Sequence, residues 1–174
     1  LKALDDENVG KSVFESVLRN AVTFFFSKHE DITDPKSIIS VILERRKYEE
    51  LRYVIWYIWT LRNRDIENTR DRVFTLWPRL LNIINFNSVE GKKLASQLCC
   101  WVSFIDKIDM NTKQWLLQIA PYSEVDYNTP KLLTGLASIS DSQPIEAQEV
   151  WLKMLDAHSS AYPPDAINQI LRNL

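Results

Sequence analysis

Residues 115–140 read WLLQIAPYSEVDYNTPKLLTGLASIS, and residues 151–174 read WLKMLDAHSSAYPPDAINQILRNL. Trp115 and Leu116 recur as Trp151 and Leu152 at a spacing of 36 residues, and Ile119 recurs as Leu155 at the same spacing. After a small slip, Pro130, Leu133 and Leu136 recur as Pro164, Ile167 and Ile170 at a spacing of 34. Each stretch has the grammar of a helix, a Tyr-containing loop, a proline and a second helix. Such a hairpin has one apolar face too many to be stable alone, and stacking a neighbour on it buries that face. The repeat therefore predicts stacked helix pairs.

Apolar residues recur at three and four along most of the chain, which extends the helical reading outward from the repeat. The spacing predicts helices over roughly 8–28, 35–46, 48–63, 66–85, 88–106, 112–121, 130–139, 144–158 and 164–173. Asp34-Pro35 and Thr129-Pro130 each place a capping residue before a proline at the first helical position, where its missing N–H costs nothing. Asn87 followed by Glu90 resembles a capping box. Pro78 is expected to kink or split the fourth helix, because it cannot donate back to Phe74 and its ring crowds that carbonyl. Strand patterns are almost absent. With only three glycines, the chain lacks the positive-φ positions that Rossmann turns, phosphate loops and tight hairpins require. Nine helices with short connections leave a closed bundle or a stacked array of antiparallel pairs.

Composition narrows the functional classes. A formal net charge of −2 leaves no electrostatic footprint for nucleic acid or anionic membrane. The two cysteines, Cys99 and Cys100, are adjacent, which excludes a disulfide scaffold. With no signal peptide and no glycosylation sequon, a cytoplasmic location is the default. The chain opens on Leu1 rather than Met, which fits a piece of a longer protein.

Each fragment of a chemical motif has a simpler reading. Gly10-Lys11-Ser12 ends like a phosphate loop, but Asp5 stands where that loop needs Gly and no strand precedes it. His29 and His158, the only histidines, have no second histidine at metal-binding spacing. Side chains at 99 and 100 diverge by about 100° on a helix, so the cysteines cannot share a metal, and a second packing surface explains both. The acidic run Asp5–Asn8 is terminal and lacks carboxylates aligned on one helix face. No catalytic, cofactor-binding or metal-ligating set is assigned.

The stretch RYVIWYIWTLR, residues 52–62, is the most aromatic of the chain. Its apolar run of about 11 residues is too short for a membrane span, which needs about 20. On a helix, Leu51, Val54, Ile55, Ile58 and Leu61 fall within an arc of about 120° and form a core stripe. Tyr53 and Trp56 point nearly opposite, so they are either buried by a second neighbour or exposed as a binding surface. Arg52, one turn before Trp56, is placed for a cation–π contact. Across residues 44–72 the basic residues, including Arg62 and Arg64, exceed the acidic ones by only two, which is the mark of a solvated face before that of a phosphate-binding patch. Beyond Tyr122 acidic residues dominate. Tyr53, Trp56, Arg52, Arg62 and Arg64 are the candidate partner-binding residues.

In period and hairpin grammar, residues 66–174 resemble HEAT-like α-helical repeats. The fixed internal Asp and Arg positions of that family are not found. The closing PPDAINQILRNL resembles the ends of helical C-terminal regions in large bacterial multidomain proteins, including signalling NTPases. The resemblance implies an all-α fold, with antiparallel hairpins stacked as a short right-handed α-solenoid. Residues 1–174 then form a single domain, with N-terminal helices over 1–65 and repeat hairpins over 66–174. It also implies a non-catalytic scaffold, the recognition or regulatory part of a larger chain, whose partner is another protein or another domain of the same chain. No cofactor and no membrane are expected. Nucleic-acid contact through the arginines flanking the third helix, and an all-α enzyme assembled from distant residues, are the alternatives.

Overall fold

A computed structural model of the chain describes residues 4–6, 8–26, 31, 33–64, 69–123, 128–155 and 164–174. Among these residues the fold is all-α, with nine α-helices and no strand. The chain divides into two compact units, Leu1–Ile83 and Ile84–Leu174. The boundary falls after Ile83, so the fourth helix groups with the N-terminal three.

The first unit holds α1 (Lys11–Phe25), α2 (Ile38–Arg45), α3 (Tyr48–Thr60) and α4 (Thr69–Ile83). Helices α1, α2 and α3 pack on one another. The predicted stripe of α3 is the core of this unit: Leu51, Val54, Ile55, Ile58 and Leu61 are all buried. Each such side chain contributes about 1.5–3 kcal/mol when removed from water.

The corner between α2 and α3 is only two residues long. Arg46 closes it at φ 51°, the left-handed conformation that ends helices, and its N–H donates to the Leu43 carbonyl at 3.2 Å. Across the corner, Arg45 Nε donates to both carboxylate oxygens of Glu50, at 3.1 and 2.9 Å, and Arg45 Nη2 donates to Glu50 Oε1 at 2.9 Å. Glu50 is 1% exposed, so its charge is tolerated only because this fork faces it. On its outer side Arg45 also holds Asp5 at 2.8 Å, and Lys47 reaches the same carboxylate at 3.4 Å. Asp5 is therefore held between two cations.

Two arginines tether α4. Arg72 donates to the Phe25 carbonyl at the end of α1, and Arg79 donates to Ser40 of α2 at 2.8 Å. Pro78 does not split α4, which runs unbroken from Thr69 to Ile83. Phe74 and Pro78 are both half-buried. The helix buries Val73, Leu76, Trp77, Leu80 and Leu81.

The second unit holds α5 (Val89–Leu98), α6 (Met110–Ile119), α7 (Thr129–Ser140), α8 (Pro144–Leu155) and α9 (Pro164–Arg172). The fifth helix is not α-helical to its predicted end. From Cys99 to Phe104 it tightens into a 3₁₀ segment. Cys99, Cys100, Trp101, Val102 and Phe104 of this segment are buried, and only Ser103 is exposed. Gly135 of α7 permits the close approach: a β-carbon there would stand 2.6 Å from Val102 Cγ1.

Several caps differ from the sequence reading. Asp34 does not cap α2. It closes the preceding turn, accepting from the Lys36 N–H at 2.8 Å, and Ser37 caps the helix through the Ser40 N–H at 3.2 Å. Ser88, not Asn87, caps α5, accepting from the Gly91 N–H at 2.9 Å. A reciprocal capping box that the sequence reading missed joins Asp109 and Thr112 at the start of α6. In each case several adjacent residues can cap, and the first buried turn decides which one does.

Helices α6, α7, α8 and α9 follow in the order that the spacing predicts, with Pro130 and Pro164 in the first turns of α7 and α9, but α7 packs chiefly on α8 rather than on α6. Leu136 and Ile170 are both buried, as the spacing predicts. Leu116 and Leu152 are not equivalent: the first is buried and the second is 48% exposed. Helix α8 buries Ala147, Val150 and Met154, a face rotated from the one that the tryptophan register implies.

Removing the carboxylate of Glu50 takes the inner partner from the mostly covered Arg45 guanidinium and leaves it only the exposed Asp5. Glu50→Ala is expected to lower the unfolding free energy by about 3 kcal/mol, read as a fall in the urea midpoint at constant slope. A loss below about 1 kcal/mol would class the bridge as an ordinary surface pair.

Candidate functional site

Helix α3 presents two unlike sides, and the aromatic one faces α1. Three rings form a connected cluster on it. Tyr53 and Tyr57, one turn apart, stack with centroids 6.0 Å apart and planes at 22°. Trp56 meets Tyr53 edge-on at 5.6 Å and lies 6.4 Å from Tyr57. Offset and edge-to-face contacts of this kind hold rings in one arrangement and stabilise by about 0.5–1.5 kcal/mol each beyond simple burial.

The structure separates the two aromatics that the wheel placed together. Tyr53 is buried, whereas Trp56 is 37% exposed. Helix α1 packs on α3 and covers Tyr53. The Tyr53 hydroxyl is buried and makes no hydrogen bond of good geometry. The polar group beside it is the Arg19 guanidinium of α1, whose charged form the Tyr53 oxygen favours, first by hydrogen bonding and then by charge. Arg19 also lies 5.8 Å from the centre of the Tyr57 ring. The sequence reading missed Arg19. Its only signal was its place on the polar flank of α1, which it shares with several other residues.

The basic candidates are mostly engaged within the fold. Arg52 pairs with Glu49 at 3.0 Å rather than with Trp56, because a carboxylate one turn back competes better than a ring one turn ahead. Arg62 lies 3.9 Å over the Trp59 ring and donates to the Trp59 carbonyl at 3.2 Å. Arg70 lies 5.0 Å over Phe74. Arg64 is exposed just beyond α3. The structure thus joins Tyr53 and Trp56 in one cluster and leaves Arg52, Arg62 and Arg64 outside it.

Other sequence features resolve into packing. Lys11 sits in the first turn of α1 with its side chain 87% exposed and pairs loosely with Glu15 at 3.8 Å. Gly10, before it, has an ordinary extended backbone. Cys99 and Cys100 are buried, the first against the Ala95 and Ile119 carbonyls. Burial pushes the Cys99 thiol well above its usual value, and the neighbouring Cys100 adds to the effect. His29 and His158 lie outside the described residues. Among the described residues no group of three or more His, Cys, Asp or Glu could hold a metal ion, and no helix is long and apolar enough to cross a membrane. In the second unit, a groove of about 450 Å³ runs between α7 and α9, lined by Thr134, Ala137, Ser138, Asp165, Ala166 and Gln169. Asp165 is its one ionisable group.

No protein-family model, curated protein or solved structure matches the chain.

Tyr53→Phe removes a buried hydroxyl without a well-formed hydrogen bond and is expected to leave stability unchanged or to raise it, by up to about 1 kcal/mol. A loss of more than that in denaturant unfolding would mean that the hydroxyl is tied to Arg19. For Cys99, the unfolded thiol ionises near pH 8.5 while the native thiol stays protonated, so the native state binds more protons above that pH. Stability should fall as pH rises beyond about 8.5, and Cys99→Ala should flatten the slope between pH 8 and 10.

Proposed function

We propose that the chain is a non-catalytic helical scaffold that binds another protein, or another domain of its own chain, through the aromatic face of α3. The observation that carries this reading is the Tyr53–Trp56–Tyr57 cluster: three rings held by mutual contact, with Trp56 open to solvent and Arg19 beside them. Tryptophan, tyrosine and arginine are the residues enriched where protein interfaces concentrate their binding energy. A ring ordered in advance loses little entropy when a partner covers it.

The repeat-scaffold reading, with hairpins stacked as a short right-handed HEAT-like solenoid, draws support from the packing order of the second unit. Helix α6 packs on α8, the 3₁₀ segment Cys99–Phe104 and α9 both pack on α7, and α7 also packs on α8. Two layers that run in chain order are what a solenoid requires. A recognition or regulatory role within a larger bacterial protein, in the cytoplasm, accords with such a scaffold. Nucleic-acid contact is the weaker reading, because Arg45, Arg52, Arg62, Arg70 and Arg72 are turned to partners inside the fold. Enzymatic chemistry is weaker too, because the groove beside α9 offers a single carboxylate.

A photo-crosslinking residue placed at position 56 tests the proposal in bacterial cells, with the exposed Val89 of the second unit as the control position. The expected outcome is one protein adduct at position 56 and none at position 89. The captured protein, purified, should bind the chain in calorimetry and lose at least about tenfold in affinity to Trp56→Ala, which corresponds to about 1.4 kcal/mol. Identical adducts at both positions, or a captured protein indifferent to Trp56→Ala, would sink the reading.

A further inference from the structure

The aromatic face of α3 also constrains the chemistry of its partner, an inference that rests on the docking role proposed for Trp56. Arg19 is exposed on α1, and among the described residues it forms no ion pair. Glu15, one turn earlier, is held at 3.8 Å by Lys11 instead. The guanidinium lies beside the Tyr53 oxygen and the Tyr57 ring, and the Glu15 carboxylate favours its charge without closing an ion pair on it. The other arginine near the cluster, Arg52, is already occupied by Glu49. One positioned cation and one exposed tryptophan ring therefore share this face, at 5.8 and 6.4 Å from the Tyr57 ring.

The geometry points to an acidic, extended protein segment as the occupant, with one carboxylate forked by Arg19 and a proline or other apolar side chain on the Trp56 ring. A lone guanidinium matches one carboxylate through two parallel hydrogen bonds. Phosphorylated segments are instead taken up by clusters of arginines, and nucleic acid by rows of them, and neither surrounds the rings. An extended chain advances about 3.3 Å per residue, so a carboxylate two to four residues from the apolar side chain spans Arg19 and Trp56. Prolines suit the ring because their extended form is set in advance, and ordering it costs little.

Fluorescence polarisation with a labelled peptide of repeated Glu-Pro-Leu tests this, against Gln-Pro-Leu and Lys-Pro-Leu peptides of the same length and a labelled oligothymidylate. The Glu peptide is expected to bind at least about tenfold more tightly than the Gln peptide, and less tightly at high salt. Arg19→Glu should reverse the preference toward the Lys peptide, and Trp56→Ala should weaken the Glu peptide by about tenfold. Both residues are exposed, and circular dichroism identical to the parent chain shows that the variants remain folded. Equal affinity for Glu and Gln peptides, no binding of either, or binding of oligothymidylate that depends on Arg19 and Trp56 overturns the inference. If position 56 captures a protein that passes its calorimetric test while the Glu peptide fails, only the acidic character of the partner is lost. If position 56 captures nothing, the docking role itself falls.

Discussion

The buried bridge between Arg45 and Glu50 sets the geometry of the first unit. Glu50 stands on the inward side of α3, in line with Val54 and Leu61, where an unpaired carboxylate would be driven out toward water. The fork from Arg45 keeps it in place. Because Arg45 ends α2 and Glu50 opens α3, one contact defines both the sharpness of the corner and the rotation of α3 about its axis. That rotation turns five aliphatic side chains inward, places Tyr53 under α1 and leaves Trp56 at the surface. The left-handed backbone of Arg46 is the local strain that accompanies so short a corner.

A second constraint is how the arginines are used. Most of those whose contacts are known point to a carboxylate, a carbonyl or a ring of the same unit, and they join helices distant in sequence. Arg72 closes α4 onto the end of α1, and Arg79 closes it onto α2. A charge-rich segment therefore offers little unpaired positive charge to solvent. Arg19 differs: it stands beside the Tyr53 and Tyr57 phenol groups, and the Glu15 carboxylate acts on it without forming an ion pair.

Much of the architecture was legible in the sequence. The periodicity located the nine helices of the described residues, with ends close to those observed except in α5, which stops at Leu98, and the core stripe of α3 was read residue by residue. Caps were less legible. Asp34, Asn87 and Thr129 are reasonable capping residues, but Ser37 and Ser88 cap α2 and α5, and α7 starts without a side-chain cap, the amide of Asn128 being turned to Ser96, because neighbouring polar residues have similar intrinsic preference and packing of the first turn selects among them. The tightening of α5 at Cys99 left no mark in the pattern, since the residues concerned are apolar whichever way the helix winds. The tryptophan register of the repeat was misleading at Leu152 for a related reason: similarity of residues does not fix which side of a helix its neighbours cover.

From the sequence alone came the helical character of the chain, the scarcity of turn chemistry that argues against Rossmann turns and phosphate loops, and the aromatic stretch as the place of interest. These are local properties, set by spacing along one helix and by the preferences of single residues. Only the tertiary structure separated Tyr53 from Trp56, brought Asp5 to Arg45 and Arg19 to the rings, and turned Arg52 to Glu49. Tyr53 and Trp56 lie about 60° apart on the same helix, so nothing local distinguishes them. The position of α1 does, and that position arises from contacts between segments whose approach no local pattern records.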